Sequence, residues 1–229
     1  MAGTKADVRD TMEEFVHDLY SRLTERDDVS ATHELEVVLS DDTYSLSSVE
    51  LGSRPERFAE SRLIYPLLDA VGLSHVEQPY GERGGTVVWP DFEVTNLDTK
   101  VIGENKQLNR FEEGVEEIKD YLDRKSIGAE YGVVTDGIRW RVFKIELGGD
   151  FTEYPEIEQA SVDLRDALLA IAHDEGLIEQ SGLDTDPEEA ISAFVSAFER
   201  ESFSELLSQT APRRIRDRRK RDVEAFYEL

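Results

Sequence analysis

Trp89-Pro90-Asp91-Phe92-Glu93-Val94 and, beyond a turn at Asn96-Leu97-Asp98, Val101-Ile102-Gly103-Glu104-Asn105-Lys106 decide how this chain is read. Phe92–Val94 and residues 101–103 are short β-rich runs, and the Asn/Asp turn between them predicts a hairpin. Asp91 opens the first strand and Glu104 follows the second. Antiparallel pairing would bring both carboxylates to one rim of a sheet. Side chains alternate along a strand, so Lys106 is expected on the same side as Glu104. The hard oxygen ligands suit a divalent cation, and the ammonium can orient a water and offset charge developing on a phosphate. A purely structural reading stands beside this one: Asp91 caps a turn after Pro90, and Glu104 and Lys106 form a solvated pair at a strand end.

Further strands are expected over Tyr131-Gly132-Val133-Val134 and over 139–145, joined by the turn Asp136-Gly137. A helix over roughly 111–125 carries Val115, Ile118, Tyr121 and Leu122 on one face. Upstream, Pro55 opens a helix over 55–71 with an apolar face of Phe58, Leu63, Ile64, Leu67, Leu68 and Val71. Pro66 inside that run predicts a kink or a break, and Gly72 a stop. The glycine-rich 81–85 reads as a turn leading into 86–89. Helix, hairpin, strand, helix, strand, strand is the order of an α/β fold, a central mixed sheet flanked by helices. Residues 7–24 form an amphipathic helix through Val8, Met12, Phe15, Val16, Leu19, Tyr20 and Leu23. Residues 34–39 read as a short strand and 40–55 as a loop. Beyond 155, helices are expected over 161–173 and 187–208, the second opened by Asp186 as N-cap and Pro187 in the first turn. The chain thus divides into an extension over 1–54, a core over 55–150 and a helical extension over 151–229. It shows no internal repeat.

The 229 residues carry a net charge of −25, with 39% hydrophobic residues, enough for a real core. Such acidity ordinarily argues against a nucleic-acid partner, whose phosphates need a basic surface. It is spread along the whole chain, however, and the cations are mostly arginine. That pattern fits adaptation to molar cytoplasmic salt, as in halophilic archaea. At 1 M salt the Debye length falls to roughly 3 Å, so the global charge no longer repels DNA at a distance. With no cysteine, disulfides and thiolate zinc sites are excluded. His17, His33, His75 and His173 are scattered and suggest no His-based metal site. No apolar run approaches the roughly 18 residues of a membrane helix, and the N-terminus lacks a signal-peptide core. The expectation is a soluble, cytoplasmic chain without a membrane partner.

From Phe58 to Phe143 the sequence resembles the N-terminal nuclease domain of type I restriction enzyme R subunits, within the PD-(D/E)xK superfamily. The resemblance rests on Glu60 with Tyr65-Pro66-Leu67-Leu68, on Pro90-Asp91-Phe92, on Ile102-Gly103-Glu104-Asn105-Lys106-Gln107, and on Thr135-Asp136-Gly137-Ile138-Arg139-Trp140. It implies a restriction-endonuclease-like core with added N- and C-terminal helices. It implies Mg²⁺ or Mn²⁺ held by Asp91, Glu104, the main-chain carbonyl of Asn105 and, from the preceding helix, Glu60. Lys106 would be the catalytic lysine, and Gln107 an accessory contact to DNA or to a metal-bound water. Some relatives carry Gln-x-x-x-Tyr on the next helix. Here Tyr121 matches, while Glu117 departs and adds negative charge. Read alone, Glu60 is a solvated helix residue and Tyr121 belongs to a helix-face core.

Arg213, Arg214, Arg216, Arg218, Arg219, Lys220 and Arg221 crowd into 212–221. They are read as a contact to DNA or a partner, or as a solvated helix face with Asp217 and Asp222 as partners. The expected function is Mg²⁺-dependent DNA cleavage in restriction, defence or DNA processing. Further domains or subunits of a restriction-modification system are the expected partners, and the chain reads as the N-terminal part of a longer polypeptide. Two alternatives remain: a non-catalytic DNA-binding or scaffold module on the same fold, and a small acidic regulator dimerising through helix 7–24.

Overall fold

In the computed structural model, which describes residues 4–25, 30–79, 89–124, 126–147, 152–179 and 187–210, the two central strands are buried at every position. These are β3 (Val101–Asn105) and β4 (Tyr131–Thr135), following β1 (His75–Glu77) and β2 (Phe92–Val94). Helices cover both of their faces, which is why they read as apolar runs rather than as alternating ones. β3 and β4 run parallel, joined by the crossover helix α6 (Phe111–Asp123). Every other pairing is antiparallel, through β5 (Arg139–Lys144) to β8 (Val162–Asp163) at the far edge. The result is an α/β fold around a six-stranded mixed sheet in the order β1-β2-β3-β4-β5-β8, consistent with a restriction-endonuclease-like core. β6 (Glu146–Leu147) and β7 (Thr152–Glu153) form a separate two-stranded ribbon.

One sheet face packs against α1 (Lys5–Thr24), α5 (Tyr65–Ala70), α7 (Arg165–Asp174) and α8 (Pro187–Phe198). This apolar cluster draws from Val8 to Leu207 and holds Trp140 against Phe194 and Phe198, at ring-centroid distances of 5.1 and 5.4 Å. The other face carries α6 (Phe111–Asp123) over Ile102, Val134 and Phe143. Of the face expected on α6, Ile118, Tyr121 and Leu122 are buried and Val115 is half-buried.

Several elements differ from the sequence expectation. Residues 34–39 lie in a helix, α2 (Ala31–Ser40), not a strand; the Ser30 hydroxyl caps it, and Leu35, Val38 and Leu39 are buried at helical spacing. The expected loop over 40–55 contains a short capped helix, α3 (Ser48–Leu51). The interruption expected at Pro66 is present, as a π turn within a continuing helical run rather than as a full break. The run passes from α4 (Pro55–Ala59) through a π turn (Glu60–Ile64) into α5, and Tyr65 N–H bonds to the Glu60 carbonyl five residues back. The wider turn makes room where a proline ring would strike an α-helical carbonyl. The helix expected from 161 begins at Arg165, because Val162–Asp163 is drawn into the sheet as β8. The helix expected over 187–208 is split into α8 and α9 (Arg200–Gln209). Glu199 leaves the helical backbone at ψ 134 and its carboxylate caps α9. The glycine-rich 81–85, Asp186 and the arginine-rich segment lie outside the described residues.

Candidate active site

The rim begins with local backbone chemistry. Asp91 donates its N–H to the Gly103 carbonyl at 2.9 Å, and its Oδ2 accepts the Asn105 N–H at 2.8 Å. Asp91 therefore takes the ladder position that β2 would otherwise fill opposite the end of β3. Lys106 donates its N–H to the Thr135 carbonyl at 2.8 Å, which carries the β3–β4 pairing one residue past the strand. Alternation then does the sorting: Glu104 and Lys106 project toward α6, and Asn105 toward the π turn and α5.

Glu104 is 3% exposed, and Lys106 Nζ lies 2.7 Å from its Oε1 and 3.0 Å from Oε1 of Glu117 on α6. Gly114, one turn before Glu117, lets α6 come this near. A methyl group at Gly114 would meet Val134 at 2.9 Å, Lys106 at 3.3 Å and Glu104 at 3.4 Å. On the other side Asn105 is fully buried, and its amide donates to Tyr65 Oη at 3.1 Å and to Glu60 Oε1 at 3.4 Å. Arg57 pairs with Glu60 at 2.9 Å and with Glu77 at 3.0 Å. The hairpin turn buttresses the π turn from behind. Gly137 has φ +87, and a side chain there would meet Leu63 at 2.7 Å.

Burial pushes the Asp91 carboxyl up to about 6; the Asn105 N–H opposes this, while Glu56 and Glu60 add to it. Burial pushes Glu104 up to about 9, helped by the Asp91 charge and by the carboxyl contact with Glu117, against the pull of Lys106. Glu104 Oε2 is buried and has no hydrogen-bond partner when both carboxylates are ionised; a proton on Glu104 joins it to Glu117. For Lys106, burial alone would lower the pKa, but Glu104 and Glu117 outweigh it and hold the ammonium above the ordinary lysine range. Glu56, an exposed residue of α4, is raised by partial desolvation and by Glu60 and Glu117, with Lys106 opposing. Among the described residues the rim is thus over-supplied with carboxylate, with the half-buried Lys106 ammonium set between Glu104 and Glu117.

Sequence reasoning named most of what meets here. Asp91, Glu104, Asn105, Lys106 and Glu60 are brought together. The ring of Tyr121 belongs to the core under α6, yet Glu104 and Glu117 are near enough to add to the upward push that burial gives its hydroxyl. Gln107 is half-buried in the following loop, its carbonyl accepting the Arg110 N–H. Glu56 was missed, although its i, i+4 spacing to Glu60 after Pro55 put both acids on one helix face. Glu117 was noticed only as a departure; the structure makes it a partner of Lys106. Tyr65, stacked on His75 at 4.5 Å, was seen only as part of a motif.

The donor set suits a hard cation. Burial and the Asp91 charge raise Glu104, and partial burial with Glu56 and Glu60 raises Asp91, which is how a site short of positive charge presents itself. Among the described residues no three acidic or histidine side chains converge on one point. Two carboxylates with a main-chain carbonyl and waters is an arrangement that Mg²⁺ accepts.

No protein-family model matches the chain, and no solved structure matches it. It is 27% identical over 107 residues to a Methanocaldococcus jannaschii protein named "Putative type II restriction enzyme and methyltransferase". The match covers 42% of this chain and about 9% of that relative. The relationship is restriction-enzyme-like, and the relative's name is that of a type II enzyme rather than a type I R subunit. Among the described residues no helix is long and apolar enough to cross a membrane.

Proposed function

We propose that this chain is a metal-dependent DNA endonuclease of the PD-(D/E)xK type, working in restriction or DNA processing. The observation that carries the reading is the rim itself: Asp91 fastened to Asn105, Glu104 buried beside it, and Lys106 at 2.7 Å from Glu104. The similarity to a named restriction enzyme and methyltransferase supports it and suggests DNA and further domains as partners.

Asp91, Glu104 and the Asn105 carbonyl would hold the ion, with Glu60 across the rim. When bound, Mg²⁺ or Mn²⁺ polarises the phosphate and lowers the pKa of a coordinated water. Lys106 stays protonated between two carboxylates, so its work is to orient the attacking water and to offset charge on the phosphate, not to take a proton. Half-buried Asp91 and buried Glu104 must be ionised to serve as ligands, so ion binding releases the protons that desolvation favours.

The test is cleavage of plasmid and linear DNA in molar KCl with Mg²⁺ or Mn²⁺, comparing wild type with Lys106→Ala. Metal-dependent nicking that vanishes in the variant is expected; nicking that survives it overturns the site. One observation favours a second reading, a non-catalytic DNA-binding or scaffold module: Lys106 is already engaged by Glu104 and Glu117. That reading predicts no cleavage and no Mg²⁺ binding by calorimetry.

A further inference from the structure

We infer that Glu117 is a positioning residue, the anchor that keeps the Lys106 ammonium at the rim when Glu104 turns to a cation. The inference rests on the proposed reading of Asp91, Glu104 and Lys106, and adds a residue which that reading does not need. Lys106 Nζ has two close acidic partners, Glu104 at 2.7 Å and Glu117 at 3.0 Å. They differ in burial: the Glu104 side chain is 4% exposed and that of Glu117 44%. An incoming cation competes for the Glu104 oxygens, because that carboxylate is buried and stands beside Asp91. A lysine left with no partner sits on a flexible four-carbon stem, free to leave any fixed geometry. Glu117 prevents this from a different element. α6 is set against β3 and β4 through Gly114, and Glu117 lies one turn further on, so its carboxylate does not move with the Glu104 strand. Lys106 would thus pass from a shared ion pair to one held by Glu117 alone, with Nζ still over the rim.

The experiment follows the ¹⁵N resonance of the Lys106 ammonium, assigned by its loss in Lys106→Arg, in the whole chain with and without saturating Mg²⁺. Wild type should retain an ordered, slowly exchanging ammonium in both states. Glu117→Ala should retain it without Mg²⁺ and lose it with Mg²⁺, and Glu117→Gln should restore it in part through the amide oxygen. In single-turnover cleavage, Glu117→Ala should lose about 100-fold, the scale expected for a misplaced catalytic group, with Mg²⁺ affinity within about threefold of wild type. An ammonium that stays ordered in Mg²⁺-loaded Glu117→Ala overturns the inference and leaves the nuclease reading standing. So does a large loss of Mg²⁺ affinity, which would make Glu117 a ligand. If Mg²⁺ perturbs neither Asp91 nor Glu104 in any variant, the reading of the rim fails and the inference falls with it.

Discussion

Asp91 accepts the Asn105 N–H through a side-chain oxygen at 2.8 Å, one residue beyond the point where β2 and β3 stop pairing. A carboxylate that substitutes for backbone is difficult to replace by a shorter side chain. Asp91→Asn keeps an oxygen for the bond and removes a partly desolvated charge. It should leave metal-free stability at pH 8 unchanged or raise it by about 1 kcal/mol, the common gain when an active-site compromise is relieved. It should also abolish Mn²⁺ binding. Thermal unfolding and calorimetry check the two halves, and intact Mn²⁺ affinity would refute the assignment of Asp91.

Asp91 and Glu104 have folded pKa values raised to about 6 and about 9 from 3.8 and 4.5. The folded chain therefore holds protons that the unfolded chain has released. The stability these groups contribute is present in full below the unfolded values and is lost as pH rises through the folded ones. The metal-free protein should lose stability from about pH 4 to pH 9, the Asp91 part by about pH 6 and the Glu104 part by about pH 9, at no more than about 1.4 kcal/mol per pH unit for each proton. Denaturant titrations at fixed salt measure this, and Glu104→Gln should flatten the slope. An unchanged slope in that variant would mean that another group carries the proton.

Gly114→Ala sets two effects against each other. Alanine is favoured over glycine in a helix interior by about 1 kcal/mol, yet its methyl group would stand 2.9 Å from Val134 and 3.3 Å from Lys106. Overpacking of this kind costs about 1–3 kcal/mol. The melting temperature should change little while cleavage falls more than about tenfold, since the displacement is delivered to Lys106. Wild-type cleavage in Gly114→Ala would show that the rim tolerates a shift of α6.

Asn109 lies just after the Lys106 loop with φ +64, buried, and ties three segments together. Its amide donates to the carbonyls of Val38 and Tyr44 at 2.9 and 2.7 Å, and its Oδ1 accepts from Arg165 at 2.8 Å. Asn109→Ala strands these partners and should cost about 2–4 kcal/mol. Asn109→Gly loses the same bonds but not the left-handed backbone, and should be milder by about 1 kcal/mol. Equal losses in the two variants would assign the whole effect to the side chain.

Legibility in the sequence tracked how local each cause was. β2, β3, β4 and β5 were readable because Asn96, Asp136 and Gly137 mark their turns and the apolar runs between are short. Residues 34–39 were misread because a six-residue segment, Glu34 and Glu36 with four apolar residues, is too short for its period to separate strand from helix; the Ser30 cap held the missing information. β1 went unseen because it is three residues long with Val76 and Glu77 exposed at the sheet edge, and Glu199 because what ends α8 is tertiary: Arg200 N–H bonds to the Val71 carbonyl. In the site, Asp91, Glu104 and Lys106 were given by spacing along one hairpin. Glu56 and Glu117 join it only through helices docked from either side, and no local pattern carries that.

The grip of Asn109 on Val38, Tyr44 and Arg165 also says where damage will be felt. A map of tolerated substitutions should show intolerance at residues that touch neither phosphate nor ion, beginning with Arg165 and the turn after α2. Variants there would read as catalytic defects in a cleavage screen and as folding defects in a melt. Only the pair of measurements together would tell a worn hinge from a broken blade.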